Sequence, residues 1–151
     1  MPTAYIFNNA IKEMVLGTMK FDGSVAYKLA LVGTTSTYTV NKDNATWNAM
    51  YTAGLREPSG ATGYTAGGSS AAGSGAASVT PTVTLNASPT NTVTIAFSSA
   101  SWAASTISAK GAVLIRASDS VPVLYIDFGS TISSSSSTLT VNFSSPLTLA
   151  M

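Results

Sequence analysis

The chain has 151 residues, with seven basic and six acidic side chains and neither histidine nor cysteine. That length suits one domain with a real core, and the missing residue types exclude a thiol nucleophile, a disulfide framework, a Ser–His dyad and a Cys/His zinc site. Charged residues make up only 9% and the net charge is +1, which excludes the broad basic field of a non-specific nucleic-acid binder.

The first residues do not read as a secretory signal. No base precedes Lys12, and Asn8, Asn9, Lys12 and Glu13 interrupt the apolar run. No segment has the apolar length of a membrane span, so the expected place of synthesis is a cytoplasm and no membrane partner is expected. Ile6, Ala10, Met14 and Val15 recur at helical spacing, with Thr3 as a cap and Gly17 as a stop. They predict an amphipathic helix lying on a sheet. After a turn at Asp22-Gly23, Val25–Val32 alternates as a strand. Asp43-Asn44 offers a cap to a short helix holding Trp47, Met50 and Tyr51, which Gly54 ends.

Residues 58–78 are rich in Gly, Ser and Ala. Such a run buries too little apolar area to offset its ordering entropy, so it reads as a flexible loop unless a neighbouring molecule holds it. Beyond it the pattern is β. Strands are predicted at Val79–Leu85, Thr92–Phe97, Ser101–Ser108, Gly111–Arg116, Val123–Phe128, Thr138–Phe143 and Leu147–Leu149. Turns separate them at Ser88-Pro89-Thr90-Asn91, Ser118-Asp119-Ser120, the serines 133–137 and Ser145-Pro146. The fold class expected is mainly β: one domain over 1–151, an antiparallel β-sandwich, jelly-roll-like, with an N-terminal helix and a short second helix. Thr and Ser at alternate strand positions leave faces that are polar but uncharged, and such faces are cheap to desolvate against a neighbour.

No constellation points to a reaction. Ser108 and Lys110 are the nearest approach to a Ser–Lys dyad, by spacing alone. The acids Glu13, Asp22, Asp43, Glu57, Asp119 and Asp127 form no metal-loop pattern. Asp127, between Ile126 and Phe128, reads as a structural pair with Lys110 or Arg116 or as a solvent-facing strand position. Gly63-Tyr64-Thr65-Ala66-Gly67-Gly68 lacks the lysine of a phosphate loop and reads as a turn anchored by Tyr64. Trp47, Trp102, Tyr125 and Phe128 could form a stacking platform, but aromatics on strands more commonly pack the core. The expectation is therefore no enzyme, with no catalytic, cofactor-binding or metal residues.

Several segments taken in order carry a resemblance: Met1 to Ala10, Lys28 to Val32, Gly63 to Gly68, Ser101-Trp102, Thr106 to Ile115, and Leu124 to Ser130. Together they span nearly the whole chain and resemble a family of small virion structural proteins of tailed bacteriophages. The chain departs from that pattern at Ser69–Ala77, where an Ala/Gly/Ser run stands in place of a short Val/Leu/Thr strand. The resemblance implies a capsid decoration, or cement, protein, made in the bacterial host cytoplasm and located in the virion. Its implied partners are the major capsid protein of the same phage and further copies of itself, as a dimer or trimer. The alternative is a neck, tail or fibre component that binds a host glycan. Exposure of termini and loops nominates Tyr5, Phe7, Tyr64, Leu147 and Met151 as partner contacts.

Overall fold

The computed structural model describes residues 2–86, 92–144 and 146–150. The turn expected at Ser88-Pro89-Thr90-Asn91 and the contact expected at Met151 lie outside the described residues. In chain order the elements are β1 (Thr3–Ile6), α1 (Asn8–Val15), β2 (Tyr27–Gly33), α2 (Trp47–Thr52), β3 (Ala77–Val79), β4 (Pro81–Asn86), β5 (Thr92–Phe97), β6 (Ala100–Ser105), β7 (Ser108–Arg116), β8 (Pro122–Ser133), β9 (Ser137–Val141) and β10 (Leu147–Ala150). They form a five-stranded sheet, β1-β8-β7-β2-β3, a three-stranded sheet, β10-β5-β4, and a pair, β6-β9. Every pairing is antiparallel. The fold is mainly β and sandwich-like with two helices, as the alternation and turn spacing predict.

The core is centred on β2 and β7. Leu29, Ala30, Leu31 and Val32 of β2 and Ala112, Val113 and Leu114 of β7 are wholly buried. Both faces of these strands are therefore covered, which explains their nearly continuous apolar text. An aromatic cluster joins the large sheet to the three-stranded one. Phe21 stacks on Tyr27 at 5.1 Å between centroids, Phe97 of β5 meets both rings edge-on, and Phe143 lies 5.5 Å from Phe97. The chain passes between the sheets at Thr80, whose backbone exchanges hydrogen bonds with Ser98 on the neighbouring turn. The single strand expected over Val79–Leu85 is thus two, because Val79 ends an edge of one sheet and Pro81 opens an edge of another.

The N-terminus also differs from expectation. Thr3 caps no helix. Thr3–Ile6 is a strand because Tyr5 and Ile6 lie opposite Tyr125 and Leu124 of β8, and this long-range pairing overrides the helical spacing. The helix starts one turn later with Phe7 as its N-cap, which makes no side-chain cap bond. Of the expected buried stripe, Ala10 is buried and Met14 packs against the core, but Val15 is 82% exposed. In α2 the cap is Thr46, whose hydroxyl accepts from the Ala49 amide, rather than Asp43-Asn44. Gly17 and Gly54 follow the two helices, in the places read as stops. Strand β8 runs past Phe128 to Ser133. Its residues between Asp127 and Ile132 bulge opposite Lys110, and Asp127 faces solvent there, accepting from the Gly129 amide. Ser134 of the expected serine turn is buried and bonds Ser105 at 2.8 Å.

Arg116 at the end of β7 ties α1 to the sheet. Its guanidinium contacts Glu13 at 2.5 Å and Asp119 at 2.7 Å. Hydrogen bonds from Arg116 hold the Asp119 carboxyl below its ordinary value of 3.8. A depressed folded pKa gives stability that is complete above the unfolded value and lost as pH falls through the folded one. Arg116→Gln is therefore expected to cost about 1–2 kcal/mol at pH 7, a figure reduced by the exposure of Asp119. It is also expected to flatten the loss of stability below the unfolded Asp119 value. Urea titrations of both proteins at neutral and acid pH check this; parallel pH curves would contradict it.

Candidate functional site

The Gly/Ser/Ala-rich segment is ordered from within the chain. Its holder is Glu57, which is 6% exposed and stands just before Pro58. One carboxylate oxygen accepts from the Tyr64 hydroxyl at 2.5 Å and the other from the Gly67 amide at 2.7 Å. The Gly73 amide is shared between both oxygens, at 3.1 and 3.0 Å. The Tyr64 hydroxyl in turn accepts from the Leu31 amide at 3.0 Å. Two indoles pin the same segment: Trp47 donates to the Gly68 carbonyl at 2.9 Å and Trp102 to the Gly75 carbonyl at 2.7 Å.

This clasp completes the large sheet. Edge strand β3 covers β2 only from Tyr27 to Leu29. Further along the same strand, the Leu31 amide is met by the Tyr64 hydroxyl and the Gly33 amide by the Arg56 carbonyl. A side-chain oxygen and a loop carbonyl thus replace the carbonyls of a missing strand, and no buried β2 donor is left unpaired there. The loop does not need a neighbouring molecule, contrary to the expectation from its composition. Its glycines are placed by contact. A Cβ on Gly67 would overlap the backbone of Ala71 to Gly73, and one on Gly73 would overlap the Thr65 carbonyl.

Burial pushes the Glu57 pKa up, and the Tyr64 hydroxyl and the Gly67 and Gly73 amides pull it part of the way back. A raised folded pKa favours the fold most below the unfolded value near 4.5, and less as pH rises through the folded one. Acidification therefore does not weaken the clasp through this group, whereas the depressed Asp119 carboxyl beside Arg116 contributes stability that is lost on acidification.

The side chains considered for chemistry are occupied structurally. Ser108 bonds Ser133 across the strands at 2.9 Å, while Lys110 donates to the Ser36 carbonyl, so the two do not meet. Glu13 and Asp119 approach one another only through Arg116. Among the described residues no three Asp, Glu, His or Cys side chains gather as a metal site. A shallow cleft of about 220 Å³ between Gly33–Thr35, Pro58–Ala61 and Thr106–Ser108 has no ionisable lining. A second, of about 230 Å³ beside Tyr27 and Val79, has Lys28 as its one charged residue. Trp47, Trp102 and Tyr125 are buried and Phe128 is half-buried, so they form no open platform.

Of the residues nominated as contacts, Phe7 is 0% exposed and sits inside the core. Tyr64 is buried in the clasp. Neither has surface to offer a partner, so both are core residues and not the contacts that exposure of termini and loops nominates. Burial follows from pairing that sequence position does not reveal, since the Phe7 amide bonds the Val123 carbonyl of β8. Tyr5 and Leu147 are half-buried against the core, on β1 and β10.

The exposed surface has a marked division. No residue from Pro58 to Ala109, or from Phe128 to Met151, carries a charge. These stretches supply the whole of the three-stranded sheet and of the β6-β9 pair. The charged residues lie on α1, on β2 at Lys28 and the loops around β2 and α2, and on the β7-β8 hairpin. Within the uncharged part Val83 is 47% and Leu85 66% exposed. A smaller apolar patch, Ile11, Val15 and Leu16, is exposed on α1 and just after it. Loop composition and strand alternation did not single out Glu57. The signal available was its position as the last charge before a long uncharged run whose remaining polar groups are hydroxyls, amides and backbone. Comparison of the chain with protein-family models, curated proteins and solved structures finds no match.

Proposed function

We propose that this chain is a structural protein of a bacteriophage virion, a capsid decoration protein that binds the outside of the shell and bridges its subunits. The observation that carries the reading is the charge-free half of the molecule, two small sheets with Thr/Ser faces and bare Val83 and Leu85. Desolvating such faces costs less than desolvating charges, provided the hydroxyls find hydrogen-bond partners, and no ion pair has to be matched. The resemblance of the sequence segments to small virion proteins agrees with it. The mechanism is passive. A shell under internal pressure fails by separation of its subunits, and a protein touching two of them adds buried area across the seam. At ~25 cal/mol per Å² of apolar burial, several hundred Å² per copy becomes a large term when repeated over a shell, after association costs. The partners are the major capsid protein of the same phage and other copies of the chain.

The test is the copy number of this chain relative to the shell protein in purified particles. Hundreds of copies agree with decoration. Six or twelve copies would move it to a neck or tail, and absence from particles would overturn the reading.

A further inference from the structure

Among the described residues the outer edge of β4 is open. β4 is the last strand of β10-β5-β4, and among the described residues no strand pairs its outer side. Soluble proteins guard such edges with charge, an internal proline or a covering element. Here Thr82 to Asn86 contain none of these, and Pro81 stands only at the inner end.

The two faces of the sheet are sharply sorted. Val83 lies opposite Ile95, which lies opposite Leu147, while Leu85 lies opposite Val93. Thr84 lies opposite Thr94, which lies opposite Thr148. The apolar face begins inside the core, where Phe97 and Ile95 are buried, and runs out of it, leaving Val83 and Leu85 bare. Among the described residues β4 therefore has no neighbour at its outer backbone edge, and Val83 and Leu85 are left exposed on its apolar face.

We propose that a second copy of this chain pairs with β4 in antiparallel register about a two-fold axis at Thr84. That register sets Thr84 opposite its own equivalent, Val83 opposite Leu85 of the other copy, and Thr82 opposite Asn86 of the other copy. Both faces then continue in phase: the apolar row Leu147-Ile95-Val83 is extended by Leu85 and Val93, and the threonine row is mirrored. A slip by one residue would put Val and Leu against Thr. The self-matching alternation is what selects a second copy over an unrelated partner. The result is a six-stranded sheet with its edges at the two β10 strands. A five-residue strand pair is smaller than the interface of a stable complex, so the pairing is reversible in dilute solution and strengthens where copies are crowded. It does not depend on the virion reading, because it concerns the free protein.

The chain has no cysteine, so a single introduced thiol reports the register. Only Thr84 meets its own equivalent in this pairing, with Cα atoms about 4.5–5.5 Å apart, within disulfide reach. Under mild oxidation of the concentrated protein, Thr84→Cys is expected to form a covalent dimer at least ten times faster than Thr82→Cys or Thr148→Cys. The unmodified chain is expected to show concentration-dependent dimerisation by sedimentation, abolished by Val83→Lys and retained in Val15→Lys on the α1 patch. Equal cross-linking at the three positions, or a monomer at every concentration, would overturn the proposal. A monomer in solution that nonetheless occurs in hundreds of copies per particle would leave the decoration reading standing and refute this one.

Discussion

Replacing Glu57 with alanine is expected to release residues 58–78 from the body of the protein and to cost about 3 kcal/mol or more. The alanine leaves the Tyr64 hydroxyl and the Gly67 and Gly73 amides without their acceptor; Tyr64 and Gly73 are buried while Gly67 is exposed, and each of the two buried donors so orphaned costs about 1–3 kcal/mol unless the loop opens to water. Glu57→Gln keeps the shape but turns one acceptor into a donor facing amides, so its cost is expected to lie below that of alanine and well above zero. The readout is built in. The chain has two tryptophans, and both donate to carbonyls of this loop. Their emission should shift to the red in Glu57→Ala before global unfolding. A variant within about 0.5 kcal/mol of the parent, with unchanged emission, would mean that the carboxylate does not hold the loop.

The second large effect separates glycines that composition treats alike. Gly73→Ala is expected to cost about 3 kcal/mol, since the new methyl meets the Thr65 carbonyl and the Gly67 amide rather than a side chain able to turn away. Gly68→Ala has nothing within 4 Å of the added carbon and is expected to fall within about 0.5 kcal/mol of the parent. Thermal unfolding of the two variants, side by side, decides this. Equal midpoints would show that the loop does not fold back on itself as described.

These residues mark where the sequence stops being readable. Strand β5 was legible to the residue because Thr-Val-Thr-Ile-Ala-Phe alternates against one core face, and period two is a local property. β1 was not, because Thr3–Ile6 is a strand only by virtue of β8, more than a hundred residues away. The clasp was invisible for a related reason. The partners of Glu57 are mostly backbone amides, which every residue type possesses, and the fit of Gly67 against Gly73 depends on a chain crossing that no composition encodes. Tyr64 anchors its turn, as the sequence predicts, but is buried and offers no surface contact, because an anchor is spent on its own fold. The uncharged half of the molecule is legible in the sequence as two runs, 58–109 and 128–151, without Lys, Arg, Asp or Glu. Only the sheet order shows that these runs together build two separate small sheets, with an open edge at β4 among the described residues.

Low charge, a loop closed from within and bare apolar side chains on one sheet combine into the proposal made above, in which the uncharged sheets are the faces presented to neighbours and the large sheet with its clasp is not. Amide hydrogen exchange of the free protein and of the protein on intact particles tests this most directly. The account predicts new protection on the particle in residues 81–86, 92–105 and 137–150, with the β7-β8 hairpin and the Glu57 clasp equally protected in both states. Identical exchange in the two states across those sheets, or new protection confined to the charged surface around α1 and Arg116, would contradict it.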